Sequence, residues 1–282
     1  MGISRINAKF EQLNSEGRAG LVTFTTAGDP DYNTALNILR GLPGAGADII
    51  ELGMPFSDPM ADGLAIQEAS IRALKGNMTL KKTLEMVCSF RKHDQDTPII
   101  LMGYYNPIYI YGVQNFIEDA LAAGIDGMIV VDLPPEEDKE LAIPANDAGM
   151  AMIHLATPTT DQNRLNKILE NGSGFLYYVT IAGVTGTAKP DLKPVKTALN
   201  NFKKISQIPI AVGFGIKTPE DAAQFGKFAD AVVVGSAIVD IIKNNINQEN
   251  VANSDLEVKV LSFVGKLANG VQNARKKHEG FL

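Results

Sequence analysis

The chain repeats one local pattern, in which a helical stretch ends in small residues and glycine and a short apolar run follows. Ala45-Gly46-Ala47-Asp48 leads into Ile49-Ile50-Glu51-Leu52, and Ala123-Gly124-Ile125-Asp126 leads into Gly127-Met128-Ile129-Val130-Val131. A glycine near a helix C-terminus can adopt the left-handed conformation that ends the helix. Runs that stay apolar without alternating indicate strands covered on both faces. The pattern therefore predicts an α/β fold with a parallel sheet.

Eight such runs occur along the chain, with helical patterns between them. They begin near Leu21, Asp48, Pro98, Gly127, Met150, Phe175, Pro209 and Ala229. Eight strand–helix units predict a closed (β/α)8 TIM barrel, and we expect residues 1–282 to form a single barrel domain, since such barrels reach this length as one unit. An open doubly wound sheet is the alternative, but it usually has fewer strands and often a glycine-rich first turn. The first turn here, Thr25-Thr26-Ala27-Gly28-Asp29-Pro30, has no GxGxxG pattern.

Two further helices are expected outside the eight repeats. Residues 3–13 have a helical pattern before the first strand and could close the bottom of the barrel. A last helix is predicted over roughly residues 256–274, after a polar loop. Within the repeats, Asp29-Pro30 and Thr218-Pro219 each place a capping residue before a proline, which is a helix-start signal.

The charge balance and the cysteine content narrow the possible functions. The 282 residues include 26 Lys and Arg against 32 Asp and Glu, a net charge of −6. An acidic chain gains nothing from the phosphate backbone of nucleic acid, which argues against that partner. Cys88 is the only cysteine, so an internal disulfide is excluded and a reducing cytoplasm is expected. The helical pattern around Cys88 predicts a core position. The sequence has neither a signal-peptide pattern nor an apolar run of membrane length.

A carboxylate interrupts the second apolar run. In a barrel of this kind the chemistry lies at the C-terminal ends of the strands, and Glu51 is expected to end the second strand, just before Leu52-Gly53. A carboxylate is costly to bury without a partner, so the position favours a functional role over a structural ion pair at the rim. The loop that follows offers Asp58 and Asp62, although each of them alone is also typical of turn capping.

Glycine-rich turns follow the last three strands. The sixth, seventh and eighth strands are followed in turn by Ala182-Gly183-Val184-Thr185-Gly186-Thr187, Gly213-Phe214-Gly215-Ile216 and Gly235-Ser236-Ala237-Ile238. Backbone N–H groups of such turns and of a helix N-terminus bind anions well. Barrel phosphate sites lie in the loops after strands seven and eight. The three clusters together predict a site for one small phosphate.

Several catalytic patterns are missing. The sequence has no Walker motif, no HExxH and no nucleophile elbow. His93, His154 and His278 have no metal-ligand spacing, so no metal site is predicted. His154 is interpreted as a satisfied histidine of the barrel rather than as a base.

The sequence closely resembles the tryptophan synthase alpha chain family. The matching stretches run in the family's order over nearly the whole chain, and ELGMPFSDPMADG, at residues 51–63, is the most specific of them. The others are Thr26-Ala27-Gly28-Asp29-Pro30, Tyr104-Tyr105-Asn106-Pro107, Val131-Asp132-Leu133-Pro134, Gly183-Val184-Thr185-Gly186, Gly213-Phe214-Gly215-Ile216 and Gly235-Ser236-Ala237-Ile238. The resemblance implies a barrel lyase that cleaves indole-3-glycerol phosphate to indole and glyceraldehyde 3-phosphate in tryptophan biosynthesis.

The same resemblance assigns roles to individual residues. Glu51 would deliver a proton to indole C3 and accept one from the side-chain hydroxyl, and Asp62 would hold the indole N–H. Tyr177 matches an active-site tyrosine that orients rather than titrates, although packing on the sixth strand explains it equally well. The apolar walls around indole would be Phe24, Met102, Ile129 and Phe214. The residues expected at the phosphate are Thr185, Gly186, Gly215, Gly235 and Ser236.

The resemblance also implies a partner, a beta subunit that carries pyridoxal phosphate and consumes indole in an alpha2-beta2 complex. No cofactor is implied in this chain. The loops at residues 55–62 and 183–193 would couple closure to the partner. The expected interface residues are Pro55, Asp58, Asn106 and Pro134. Two positions depart from the family: Leu64 replaces a proline common after ADG, and Ile181 replaces an arginine of several relatives. These departures bear on loop dynamics and partner coupling, and not on the reaction class.

Two other interpretations compete with this one. The first alternative is another phosphate-binding barrel enzyme. An indole-glycerol phosphate synthase would be expected to use a lysine as an acid, and a sugar-phosphate epimerase commonly uses metal-binding histidines and acids. Neither set is apparent, although Lys217 lies just beyond the seventh strand. A non-catalytic barrel that binds phosphate metabolites and regulates a partner is the second alternative. The presence of Glu51, Asp62 and the glycine clusters argues against it.

Overall fold

A ring of parallel strands forms the centre of the computed structural model, which describes residues 2–180, 192–213 and 215–276. Within these residues the sheet contains nine strand segments: Gly20–Thr26, Ile49–Gly53, Ile99–Gly103, Gly127–Val130, Ala151–Met152, Leu155–Ala156, Leu176–Val179, Ile210–Gly213 and Ala231–Val234. Each predicted strand is present and begins within two residues of its expected start.

The α-helices surround this ring or cover its ends. They span Gly2–Ser15, Tyr32–Gly41, Leu64–Lys75, Leu80–Arg91, Tyr105–Tyr111, Val113–Ala123, Ala142–Asp147, Gln162–Asn171, Leu192–Ile205, Pro219–Gly226, Ser236–Lys243 and Leu256–Asn273, and a 3-10 turn spans Pro135–Glu137. Leu80–Arg91 begins at the N-cap Thr79 and Pro219–Gly226 at the N-cap Thr218, whose side chains accept hydrogen bonds from backbone N–H groups of the first turn.

The ring closes through an interrupted fifth strand. Its first segment, Ala151–Met152, pairs with the fourth strand, and its second segment, Leu155–Ala156, pairs with the sixth. The two residues between the segments continue both ladders, since Ile153 N–H donates to Met128 O at 2.9 Å and Tyr177 N–H donates to His154 O at 3.0 Å. The nine segments therefore make eight barrel strands, and the predicted (β/α)8 barrel is confirmed.

Alternate residues of each strand point to opposite sides of the sheet. On the first strand, Leu21 belongs to the core between strands and helices, whereas Val22 belongs to the core inside the barrel. Because both sides are covered, all seven residues of that strand are buried. This explains why the strands are continuously apolar in the sequence, and it makes a polar residue pointing inward exceptional.

An aspartate before a strand recurs at the bottom of the barrel. The carboxylates of Asp48, Asp126 and Asp230 each accept a hydrogen bond, at 2.9 Å, from a backbone N–H at the start of the neighbouring strand. Each of these aspartates also forms an ion pair with a basic side chain; for Asp126 the partners are Arg5 and Arg91. The Asp at the end of the repeated sequence pattern therefore aligns adjacent strands. Its carboxylate also gives a backbone N–H at the start of the neighbouring strand a hydrogen-bond partner.

The N-terminal helix closes the bottom of the barrel, as predicted. Ile6, Phe10 and Leu13 project from Gly2–Ser15 into the apolar cluster inside the barrel, and the rings of Phe10 and Phe175 are 5.7 Å apart. The C-terminal helix, Leu256–Asn273, packs on the outside against the helices that flank the eighth strand.

Two local predictions were wrong. Asp29-Pro30 does not start the second helix: Asp31 caps it and it begins at Tyr32, while Asp29 forms a buried bidentate ion pair with Arg72. Cys88 was expected in the core but is exposed, because Met86 and Val87 supply the buried face of that turn. Among the residues described, no helix is both long and apolar enough to cross a membrane.

Candidate active site

Glu51 lies in the middle of the second strand and points into the barrel. The sequence predicted that Glu51 ends this strand, but the strand continues through Leu52 to Gly53. The side chain is 1% exposed, and among the described residues its Oε1 has no hydrogen-bond partner. Burial raises the pKa of Glu51 to about 8. At neutral pH this carboxyl group is mostly protonated and can give up a proton.

Asp62 lies in the loop between the second strand and the helix Leu64–Lys75. Burial raises its pKa to about 6, and a hydrogen bond from the Tyr104 hydroxyl opposes that rise. The same Tyr104 oxygen accepts the backbone N–H of Ala61 at 3.0 Å. The two candidate carboxyl groups therefore have different environments and different protonation states at neutral pH, which is the arrangement that acid–base chemistry requires.

A narrow cleft joins Asp62 to the apolar residues expected around indole. Phe24 and Met102, two of the residues expected around indole, line it. The remaining lining residues are Thr26, Gly53, Met54, Ile66, Ser70, Gly103, Tyr104 and Val131. Ile129 does not line the cleft: it is fully buried in the barrel core and packs one layer below, on the strand that leads to Val131.

Tyr177 lies inside the barrel beside Glu51. It is 5% exposed, and its pKa is raised by burial and then by the charge of Glu51. The phenol lies over Gly213 of the seventh strand, where a Cβ atom would overlap the Tyr177 hydroxyl. The glycine of the seventh strand therefore provides the space that Tyr177 occupies. Because its pKa is raised, the phenol of Tyr177 remains neutral at any physiological pH.

The expected phosphate residues are partly within the described chain. Ser236 is the first residue of the helix Ser236–Lys243, and its first helical hydrogen bond is donated by Ile238 to Gly235 O at 2.8 Å. Gly215 has φ +76°, a conformation that favours glycine. A Cβ atom at Gly235 would lie 3.2 Å from Cβ of Phe24, which places this turn beside the cleft. Thr185, Gly186 and Phe214 lie outside the described residues, as does Ile181.

The four expected interface residues occupy loops after three consecutive strands. Pro55 and Asp58 follow the second strand, Asn106 follows the third and Pro134 the fourth. Asp58, Asn106 and Pro134 are exposed and Pro55 is half-buried. They lie on the same end of the barrel as Asp62 but do not line the cleft.

Sequence reasoning missed several residues of the cleft. Thr26 follows the predicted wall residue Phe24 by two positions on its strand, and Val131 follows Ile129 by two positions, one residue past the end of its strand, so the period of two could have identified them. Tyr104 is different: its contact with Asp62 joins residues 42 positions apart in sequence, and no local pattern indicates it.

His154, interpreted from the sequence as a satisfied histidine of the barrel, is buried, but its Nε2 and the facing Asp138 Oδ1 have no hydrogen-bond partner among the described residues. His154 is 5% exposed, its Nε2 is 3.3 Å from Asp138 Oδ1, and burial lowers its pKa. In the part of the chain that is described, no three His, Cys, Asp or Glu residues are grouped so that they could hold a metal ion.

The fold and the site define a class: a (β/α)8-barrel enzyme with two carboxyl groups of unlike acidity, one inside the barrel and one in the loop after the second strand. The profile of the tryptophan synthase alpha chain family matches residues 10–271, and the chain belongs to that family. It is therefore a lyase that cleaves indole-3-glycerol phosphate and forms part of tryptophan synthase. The family acts with a beta subunit, and the alpha chain needs no cofactor of its own.

Solved structures of this family superpose on nearly the whole chain. The tryptophan synthase alpha chain of Legionella pneumophila subsp. pneumophila is 38% identical, with TM-score 0.86 over 97% of this chain and 98% of that one. The alpha subunit from Legionella pneumophila str. Paris is 40% identical, with TM-score 0.84 and 98% coverage of both chains. Tryptophan synthase of Mycobacterium tuberculosis is 31% identical, with TM-score 0.85 over 95% and 98%.

Proposed function

We propose that Glu51 is the group that transfers protons in the cleavage and that Asp62 binds the indole N–H. The protonated Glu51 carboxyl gives its proton to indole C3, and the carboxylate left behind accepts a proton from the hydroxyl on the carbon attached to C3. The bond between that carbon and C3 then breaks, its electron pair returns to the ring, and indole and an aldehyde are released. Glu51 ends protonated, ready for the next turnover.

The burial of Glu51 is the observation that carries this assignment. An acid must be protonated to begin the cycle, and a pKa of about 8 keeps Glu51 protonated at neutral pH. Its Oε1 has no partner among the described residues, so the carboxyl is not committed to a structural ion pair. Buried polar groups are normally hydrogen-bonded, and an exception in a barrel interior calls for a ligand or a proton-transfer role.

The environment of Asp62 supports the second role. With a pKa of about 6 it is mostly ionised at neutral pH, when Glu51 is not. A carboxylate beside the indole N–H accepts a hydrogen bond that strengthens as the ring gains positive charge on protonation at C3. Such a contact stabilises the transition state more than the substrate, and only interactions of that kind accelerate the reaction.

Substrate contacts are proposed for the residues around these groups. Phe24, Met102 and Phe214 would hold the indole ring, with Ile129 supporting them from below. Amides at Gly215, Gly235 and Ser236, with Thr185 and Gly186, would bind the phosphate. The turn at Gly235 touches Phe24, so ring and phosphate pockets adjoin. Tyr177 would orient the reacting carbon beside Glu51 without titrating.

Replacing Glu51 by Gln tests the mechanism. Glu51→Gln keeps the shape and removes the proton that is transferred, so indole release from indole-3-glycerol phosphate is expected to fall by at least about 100-fold, as for loss of a general acid–base. Glu85→Gln, on an exposed helix face, is the matched control and should keep full activity. Full activity in Glu51→Gln would refute the proton-transfer role while leaving the family assignment intact.

We further propose that the barrel mouth docks the beta subunit, in an alpha2-beta2 complex whose beta subunits carry pyridoxal phosphate. Pro55, Asp58, Asn106 and Pro134 lie on the same end of the barrel as Asp62, and three exposed apolar residues lie close to Asp58 and Asn106 in sequence. Met60 is 78% exposed, Tyr109 65% and Ile110 74%, and exposed apolar groups of this size mark interaction sites. The cytoplasmic location expected from the sequence stays a prediction.

Activation by the partner provides the test. Ile110→Ser is expected to weaken the stimulation of indole release by a tryptophan synthase beta subunit, with unchanged release by the chain alone. Val258→Ser, at a residue 69% exposed on the C-terminal helix, is the control. Equal stimulation of both variants would place the interface elsewhere.

A further inference from the structure

A buried ion pair joins the turn after the first strand to the helix Leu64–Lys75. Arg72 Nε donates to Asp29 Oδ1 at 2.7 Å, and Arg72 Nη2 donates to Asp29 Oδ2 at 2.9 Å. The Asp29 side chain is fully buried and Arg72 is 8% exposed. A planar guanidinium that meets a carboxylate through two parallel bonds fixes both the distance and the angle between the elements that carry them.

Both members of this pair lie next to residues that line the cleft. Asp29 closes the turn that follows Thr26, and its N–H donates to the Thr26 carbonyl oxygen at 3.2 Å. Arg72 lies two residues after Ser70 on its helix, and Thr26 and Ser70 both line the cleft. The ion pair therefore connects two parts of the cleft lining, the end of the first strand and the helix after the second.

The helix that Arg72 anchors also controls the place of Asp62. It begins two residues after Asp62, and the Gln67 side-chain amide donates to the Asp62 carbonyl oxygen at 2.8 Å. Ala69, on the same helix, belongs to a small buried cluster with Phe24 of the first strand. A shift of this helix along the first strand would therefore change the position of Asp62 relative to Phe24.

We propose that Arg72 and Asp29 are positioning residues, which hold Asp62 and the apolar ring site at Phe24 in their working arrangement. Neither residue of the pair lines the cleft, so both act through other groups. The inference rests on the roles proposed above for Asp62 and Phe24. A displacement of about 1 Å, caused far from the chemistry, can lower a rate by about 100-fold. A pair that served stability alone would leave the folded enzyme fully active.

Arg72→Lys tests the pair while it keeps the positive charge. An ammonium group is a point charge that cannot reproduce two parallel bonds, so the helix loses its fixed geometry. The kcat of indole release from indole-3-glycerol phosphate is expected to fall about 10- to 100-fold. The affinity for indole itself, measured by calorimetry, is expected to fall about tenfold, the lower end of what a small misfit in an apolar pocket costs.

Arg91→Lys is the matched control. Arg91 is 6% exposed and forms an ion pair with Asp126 at 2.7 Å, at the bottom of the barrel and opposite the cleft. Both variants should unfold at lower temperature than the unaltered enzyme, and both are assayed where circular dichroism shows them folded. Only Arg72→Lys should lose turnover and indole affinity. Equal losses in the two variants, or no loss in either, would reduce the Arg72 pair to a structural role.

Asp29→Asn provides a second route to the pair, which keeps the test valid if Arg72→Lys does not fold. It removes the charge of the carboxylate and one of its two acceptor oxygens. The double variant Asp29→Asn, Arg72→Lys should be about as active as the weaker single variant, because both changes break one interaction. Losses that add would mean that the two residues act independently, and would overturn the inference.

Indole affinity separates this inference from the proposed function, because binding of the product needs no catalysis. If Asp62→Asn remains active, the role proposed for Asp62 fails, whereas tenfold weaker indole binding by Arg72→Lys would still support control of the ring site by the ion pair. If Asp62→Asn is inactive while Arg72→Lys binds indole and turns over as the unaltered enzyme does, only the inference about the pair fails.

Discussion

The carboxyl group of Glu51 lies beside the phenol of Tyr177 inside the barrel, and neither side chain is more than 5% exposed. The influence between them is one-sided: the charge of Glu51 raises the pKa of Tyr177, whereas burial alone raises the pKa of Glu51. The two titratable groups can therefore be altered separately.

Tyr177→Phe should leave the ionisation of Glu51 unchanged. Because burial is the cause of the raised Glu51 pKa, and the phenylalanine ring keeps the site buried, the alkaline limb of kcat/KM should stay near pH 8. The height of the profile should fall by about tenfold or less if Tyr177 only orients substrate, as for the loss of one neutral hydrogen bond. A displaced alkaline limb would mean that the phenol sets the acidity of Glu51.

The pH profile of the unaltered enzyme follows from the two carboxyl groups. Asp62 must be ionised, which requires pH above about 6, and Glu51 must be protonated, which requires pH below about 8. The profile of kcat/KM should therefore be bell-shaped with its maximum near pH 7. In Glu51→Asp, whose shorter side chain alters the burial, only the alkaline limb is expected to move. A profile that keeps rising above pH 9 would contradict a protonated Glu51.

Much of this architecture could be predicted from the sequence, for a physical reason. A strand covered on both faces must be apolar throughout, and the eight runs that meet this condition are the eight barrel strands. Glu51 could be identified because it is polar within such a run. Asp62 was found through the resemblance of its loop to a family motif and not through any local rule.

The residues that were missed depend on contacts between distant parts of the chain. Tyr104 meets Asp62 only because the loop after the second strand folds over the third, and neither sequence stretch specifies that approach. Cys88 was placed on the wrong face because a helix of mixed composition has no sharp apolar boundary. The depth of Ile129 below the cleft depends on how far its strand extends, and element ends are the part of a fold that local sequence fixes least.

The stability of the protein should depend on pH through Glu51. The folded pKa of about 8 is higher than the ordinary value of 4.5, so the folded state binds more protons between these values. Stability is therefore full below about pH 4.5, falls as the pH rises toward 8 and is level above it, with a loss of roughly 5 kcal/mol at most. Urea unfolding of Glu51→Gln should lack this loss and exceed the unaltered protein at pH 9. Glu85→Gln, at an exposed position, should keep it.

The helix at the barrel bottom should contribute strongly to stability and little to catalysis. Phe10 is 8% exposed and packs on Phe175 inside the barrel, so Phe10→Ala is expected to lower the free energy of unfolding by roughly 3 to 5 kcal/mol. Val258→Ala, at an exposed position, should change it by less than about 0.5 kcal/mol. Indole release by folded Phe10→Ala should stay close to normal, because the bottom lies opposite the cleft. A large loss of turnover without unfolding would connect this end to the active site.

Leu64 is the position at which the sequence resemblance leads us to expect a proline, and the structure predicts the result of introducing one. Leu64 is the first residue of its helix, its side chain is 66% exposed, and Gly63 before it is extended at φ −71°, ψ 161°. Proline fits the first helical position, and an extended residue before it is the preferred one. Leu64→Pro should therefore raise the free energy of unfolding by about 0.4 to 1 kcal/mol, through the reduced freedom of the unfolded chain. Because the substitution leaves Asp62 and the hydrogen bond from Ala61 N–H to Tyr104 in place, the acidic limb of the pH profile should not move. Calorimetry and the pH profile together check both statements, and a lower stability would show that the chain around residue 63 cannot adopt the geometry that proline requires.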